Sequence, residues 1–114
     1  MFKSIVITAP LLGLALTACL GPDPLVGKGA VSLSPGVQAG FEQYKNERSP
    51  GHFAISADGR YAQYNYCPDG RCLRGSKNNV IYACEKRSKG SPCKIYAAYG
   101  EVVWVDPEGS GQIQ

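Results

Sequence analysis

Four cysteines, Cys67, Cys72, Cys84 and Cys93, fall in the second half of a 114-residue chain and limit what it can become. In an exported protein an even set of this kind reads as two bridges, with three pairings open. Local loops close with the least loss of entropy, so Cys67–Cys72 and Cys84–Cys93 are the expected pairs. A structural zinc site would show close cysteine pairs separated by roughly two to four residues. Here the intervening stretches are four and eight residues long, and His52 is the single histidine. No metal and no cofactor is expected. A chain of this length makes one small domain with a limited core, the setting in which extracytoplasmic proteins add disulfides.

The N-terminus supplies the reason to expect export. Lys3 is the only charge before a mostly apolar run from Ile5 to Leu16, which ends in small residues. That order marks a secretion signal. The run is shorter than the roughly 20 residues that cross a bilayer, and Pro10 interrupts it. An ordinary cleavage site wants small residues at both flanking positions, and Leu16 fits that poorly. Leu16-Thr17-Ala18-Cys19 instead resembles the lipobox of bacterial lipoproteins. The resemblance implies that the Cys19 thiol receives a diacylglyceryl group, that the chain is cut before Cys19, and that the new amine is often acylated. Residues 1–18 are then a signal, residues 19–33 a lipidated tether and the membrane a partner. In enteric members of that family an aspartate after the cysteine favours the inner membrane. Leu20 stands there, so the expected location is the cell envelope, leaning toward the outer membrane.

The formal net charge is +3, and loss of Lys3 lowers it by one. Acids are interspersed with most of the basic residues, and no nucleic-acid partner is expected. The exception is Lys86-Arg87-Ser88-Lys89 with Lys94 nearby. Such residues complement the dipole at a helix end; the competing reading is an anionic lipid or envelope polymer.

Gly and Pro in Leu20–Val31 exclude periodic structure and suit the tether. Ser34 suits an N-cap and Pro35 the first helical position. Val37, Phe41 and Tyr44 then share a helix face. Phe53 and Ile55 begin an alternating strand, Asp58-Gly59 predicts a two-residue hairpin turn, and Ala62, Tyr64 and Tyr66 return. Pro68-Asp69-Gly70 predicts a turn inside the Cys67–Cys72 loop. Ser76 is expected to cap a second helix bearing Val80, Ile81 and Cys84, closed by Lys86, Arg87, Lys89 and Gly90. Cys93–Ala98 and Val102–Val105 form the last hairpin around Gly100. The expectation is an α+β fold: a small antiparallel sheet of two hairpins packed with one or two helices and supported by disulfides. The domain spans 34–105, and 106–114 is a flexible tail.

Residues 53–104 also resemble small uncharacterised secreted domains of proteobacteria. The shared pieces are Phe53-Ala54-Ile55-Ser56-Ala57-Asp58-Gly59, the Cys67–Cys72 turn, Ala83-Cys84-Glu85, Cys93-Lys94-Ile95-Tyr96-Ala97 and Val102-Val103-Trp104. That resemblance implies a disulfide-supported scaffold and carries no catalytic residues.

Recognisable catalytic motifs are missing from the sequence. Ser91-Pro92-Cys93-Lys94 matches S-x-x-K without the partner motifs of the penicillin-binding family. Gly27-Lys28 lacks the earlier glycine of a phosphate loop. Glu85 and Glu101 read as solvated charges, and a triad would have to use His52. Aromatics remain: Tyr61, Tyr64, Tyr66, Tyr96, Tyr99 and Trp104 lie in expected strands or turns. Strand packing explains most of them, and an outward subset would suit an envelope glycan or a protein. The leading expectation is a membrane-anchored, non-enzymatic binding or structural module of the bacterial envelope. A secreted-type inhibitor or interaction module, and an enzyme of unrecognised type, are the alternatives.

Overall fold

A computed structural model describes residues 23–107. Within them, helix α1 (Pro35–Lys45) is followed by strands β1 (Pro50–Ser56) and β2 (Ala62–Tyr66), helix α2 (Ser76–Arg87), and strands β3 (Cys93–Ala98) and β4 (Glu101–Val102). Both expected hairpins form. The last strand of the second is Glu101–Val102 and not the expected Val102–Val105, because the Val103 and Trp104 amides both turn to Tyr96 O and Val105 bridges to Lys28. Strand β1 pairs with β3 to merge the hairpins into one antiparallel sheet of order β2-β1-β3-β4. The fold is therefore a disulfide-supported α+β domain. Among the described residues no helix is long and apolar enough to cross a membrane.

The helices lie on opposite faces of the sheet. Strand alternation sends Phe53 and Ile55 toward α1, where they meet Val37, Phe41, Tyr44, Tyr96 and Trp104. Phe41 meets both Phe53 and Tyr96 edge-on, with ring centroids 5.3 Å apart, a favourable aromatic geometry. Ala54 faces the other way, into a second cluster with Val80, Cys84, Cys93 and Ile95. Small side chains on that face let α2 approach closely. Coverage on both faces explains why β1 is buried almost end to end.

Local chemistry sets the ends. The Ser34 hydroxyl accepts from the Val37 amide at 3.2 Å, and Pro35 opens α1 as its missing N–H allows. Lys86 and Arg87 close α2, and Gly90 follows it with φ +100°. Cys67–Cys72 and Cys84–Cys93 are the bonded pairs. The second staples α2 to the first residue of β3.

Four further details differ from the sequence expectation. The β1–β2 connection is a longer loop: the Ser56 amide donates to Tyr61 O at 3.0 Å, leaving Ala57–Arg60 between. The Ser56 hydroxyl and the Asp58 carboxylate satisfy the loop's polar groups, so a two-residue turn is not needed. Ser76 does not cap α2. Gly75 occupies that position, with φ +89°, and Ser76 is buried inside the first turn. Glu85, expected as a solvated charge, is half-buried, and its Oε2 accepts from the Cys93 amide at 3.1 Å.

The fourth detail concerns the expected tether. Leu25 to Gly29 run beside the sheet, with Val26 opposite Ile95 and Lys28 opposite Val105 in parallel bridges. Ile95 N donates to Leu25 O at 2.8 Å, and Gly27 N donates to Ile95 O at 3.0 Å. Glycine and proline prevent a periodic pattern without preventing backbone pairing. The ordered domain thus starts at least as early as residue 23 and includes Asp106, which is buried. Residues 1–22, with the signal and Cys19, and residues 108–114 of the expected tail lie outside the described residues.

Candidate functional site

The six aromatics separate into two groups. Tyr96 and Trp104 are buried in the core, and Tyr64 packs on Phe53 and Tyr44, so these three do not form an open binding face. Tyr61, Tyr66 and Tyr99 are exposed. Tyr61 and Tyr66 flank opposite ends of β2, while Tyr99 lies in the β3–β4 turn. A single tyrosine platform is not what the fold builds.

Tyr99 instead belongs to a cleft of about 490 Å³ that sequence reasoning did not assemble. Its lining includes Leu25, Val26, His52, Leu73, Lys77 and Val103. A β-bulge lies at one side of it and contributes His52 to the lining. Pro50 is opposite Tyr66 and Phe53 opposite Tyr64, so Gly51 and His52 together face Asn65. Bulges leave an unpaired residue and re-aim side chains. Here the orphaned His52 N–H donates to Asn65 Oδ1 at 2.9 Å.

That contact orients the Asn65 side chain. A backbone N–H only donates, so Oδ1 faces His52 and the Asn65 amide group turns to Ser76, donating to its hydroxyl at 3.1 Å. The Ser76 hydroxyl lies 2.9 Å from His52 Nδ1, and which of the two donates depends on the His52 tautomer. His52, Asn65 and Ser76 are thereby linked in a closed ring; where the Ser76 hydroxyl is the donor, a neutral His52 carries its proton on Nε2. On the other side of the bulge, the buried Tyr44 hydroxyl donates to Gly51 O at 2.7 Å and accepts from Gly100 N at 3.0 Å. Tyr44 thereby locks α1, the bulge and the β3–β4 turn together, and burial pushes its phenol up. The turn places Tyr99, at φ 53°, edge-on over His52, with ring centroids 5.5 Å apart.

Charge in the cleft comes from Asp23, Lys77 and Arg74. Lys77 pairs with Asp23, and with the Leu25 amide it holds the Asp23 carboxyl below its usual range. His52 is held below its ordinary 6.5, first by burial and then by the Lys77 charge, with Asp23 opposing. The unfolded chain therefore binds a proton at His52 at higher pH than the folded one. Stability is full above the unfolded value near 6.5 and falls as pH drops toward the folded value. Urea midpoints measured from about pH 7.5 down to about pH 5 should decline, with a flatter profile in His52→Gln. Equal slopes in the two proteins would remove His52 as the cause.

A serine bonded to a histidine invites comparison with hydrolases. The third member is not supplied by Asp23, whose oxygens serve Lys77 and the Leu25 amide. Asn65, Ser76 and Lys77 were not legible as site residues because only the bulge and the α2 approach bring them to His52. The one sequence signal was a lone histidine following Pro50-Gly51.

A larger apolar cleft of about 810 Å³ lies alongside, sharing Asp23, Val26 and Val103 with the first. Trp104 forms part of its wall, and its indole N–H donates to Gly29 O at 2.7 Å.

Fold and cleft together define a small, disulfide-braced α+β domain with a largely apolar cleft at a strand bulge, charged at one end. Comparison with known protein families, curated proteins and solved structures found no match.

Proposed function

We propose that this chain is a lipid-anchored protein of the bacterial cell envelope whose domain acts as a non-enzymatic binding module. The observation that carries the reading is the pair of disulfides, Cys67–Cys72 and Cys84–Cys93. Such bridges persist in oxidising compartments and brace small exported domains. They accompany an N-terminus that resembles a secretion signal ending in the lipobox Leu16-Thr17-Ala18-Cys19.

The position of Asp23 gives the anchor a consequence. Asp23 is already tied to Lys77, four residues after Cys19. Four residues reach at most about 14 Å. A lipid on Cys19 would hold the cleft end of the domain against the membrane surface. Two or three acyl chains would make detachment negligible, because each buried methylene contributes about 0.8 kcal/mol. Leu20 favours the outer membrane by analogy with enteric lipoproteins.

A second reading, an interaction or inhibitor module that meets a protein at a strand edge, is favoured by β2. That strand is at the edge of the sheet and ends at the exposed Tyr66.

Intact mass of the protein purified from membranes tests the anchor. A chain starting at a diacylated or triacylated Cys19 is expected. An unmodified N-terminus overturns the proposal.

A further inference from the structure

We infer that the His52 cleft is a binding site for a small organic monocarboxylate, with its carboxylate at the start of α2 and its apolar body against Leu25, Leu73, Tyr99 and Val103. The inference deepens the reading as a binding module and rests on that part alone, not on lipidation of Cys19.

Two independent features converge on the polar end. At the start of α2 the Ser76 amide donates to Leu73 O and the Asn79 amide to Gly75 O. This leaves the Lys77 and Asn78 amides without a carbonyl partner among the described residues, and Gly75 supplies no capping side chain. Asn78 and Lys77, at that terminus, line the cleft. Helix N-termini carry a partial positive charge suited to an anion. The second feature is His52 itself, 5% exposed and part of the cleft wall. Its Nδ1 is committed to Ser76, and no hydrogen-bond partner for Nε2 stands among the described residues. A buried ring nitrogen left without a partner is costly; with Ser76 donating to Nδ1, the Nε2–H is the donor that a ligand oxygen would satisfy.

The lining decides the ligand's charge and shape. Arg74 and Lys77 are opposed by Asp23 alone, so a net positive charge remains for one carboxylate. Leu73 is 84% exposed and Tyr99 56%, an apolar rim at a charged pocket. A volume near 490 Å³ lies within the range of small-molecule clefts and leaves room for a single ring or a short acyl chain. Asp23 is the internal competitor, since it already holds Lys77.

The test uses the mature protein in detergent micelles, followed by NMR, with benzoate and benzylamine as probes of matched shape and opposite charge. Benzoate should give saturable shifts at the His52 ring and at the Lys77 and Asn78 amides. Benzylamine should not. His52→Gln should weaken benzoate by about tenfold, the loss for one hydrogen bond to a charged group. Asp23→Asn should strengthen it severalfold by freeing Lys77. Leu73→Ser changes an exposed side chain and should weaken benzoate even if His52→Gln unfolds. Absence of a saturable shift, equal binding of both probes, or weaker binding by Asp23→Asn overturns the inference. These readouts are separate from the mass of the N-terminus, so either proposal can fail while the other stands.

Discussion

Replacing Gly27 by alanine is expected to destabilise the domain by about 3 kcal/mol, because the Trp104 ring lies directly on the glycine backbone. A β-carbon at residue 27 would overlap three ring atoms of Trp104. Relief requires either the ring to leave or the 25–29 segment to lift. Both routes break contacts elsewhere. Moving the ring releases its bond to Gly29 O and opens the core beside Tyr96. Lifting the segment breaks its pairing with Ile95 and Val105. For a domain of this size the melting temperature should fall by about 12 °C or more. Trp104 is the only tryptophan of the chain, so its fluorescence reports the event directly. Its emission should shift to the red in Gly27→Ala. Adding Trp104→Leu to Gly27→Ala should cost less than the sum of the two changes, since a smaller side chain makes room for the new methyl. Strict additivity would show that the two residues do not meet.

Removing the Cys84–Cys93 bridge, as Cys84→Ala with Cys93→Ala, is expected to cost about 2–5 kcal/mol. Cross-linking residues this close in sequence restricts the unfolded chain by about 2–3 kcal/mol on the entropic model. The remainder comes from packing. Cys84 and Cys93 are buried among Ala54, Val80 and Ile95, at the point where α2 meets the sheet. The bridge lies inside that apolar cluster, which Leu25, Val26 and Ile81 complete, so its loss also leaves a packing defect between α2 and the sheet. The Cys67–Cys72 bridge closes a shorter, more exposed loop, so its removal should cost less. Denaturant titration of the two bridge-deleted proteins against wild type checks the order. A transition unchanged by loss of Cys84–Cys93 would refute its structural role.

Local signals account for much of the fold. Ser34-Pro35 marked the start of α1, and the spacing of Val37, Phe41 and Tyr44 marked its buried face, because capping and helical periodicity act within a few residues. The alternation of Phe53 and Ile55, and the basic end of α2, were equally legible. Loop closure favoured the two bridges that form. Misreadings occurred where tertiary contacts replace local ones. Ser76 has the residue type of a cap, yet its hydroxyl serves His52 and Asn65 inside the domain. The Gly- and Pro-containing stretch before Val31 has the composition of a linker, yet its backbone bonds to β3 and to Val105.

The candidate site was the least legible part. His52 stood out only as a lone histidine, and Tyr99 only as one of several aromatics. No periodicity links His52 to Asn65, Ser76 or Asp23.

By itself the sequence determined the pieces: two helices, two hairpins, two local cystine loops and an N-terminus that resembles a lipoprotein signal. Each depends on interactions between residues close along the chain. Only the tertiary structure decided that β1 joins β3, that the helices cover opposite faces, and that Leu25–Gly29 belongs to the domain. It also decided that a bulge at Gly51-His52 turns a histidine toward the start of α2. Those outcomes come from backbone pairing and from which side chains are small enough to let elements touch, quantities set by residues far apart in sequence.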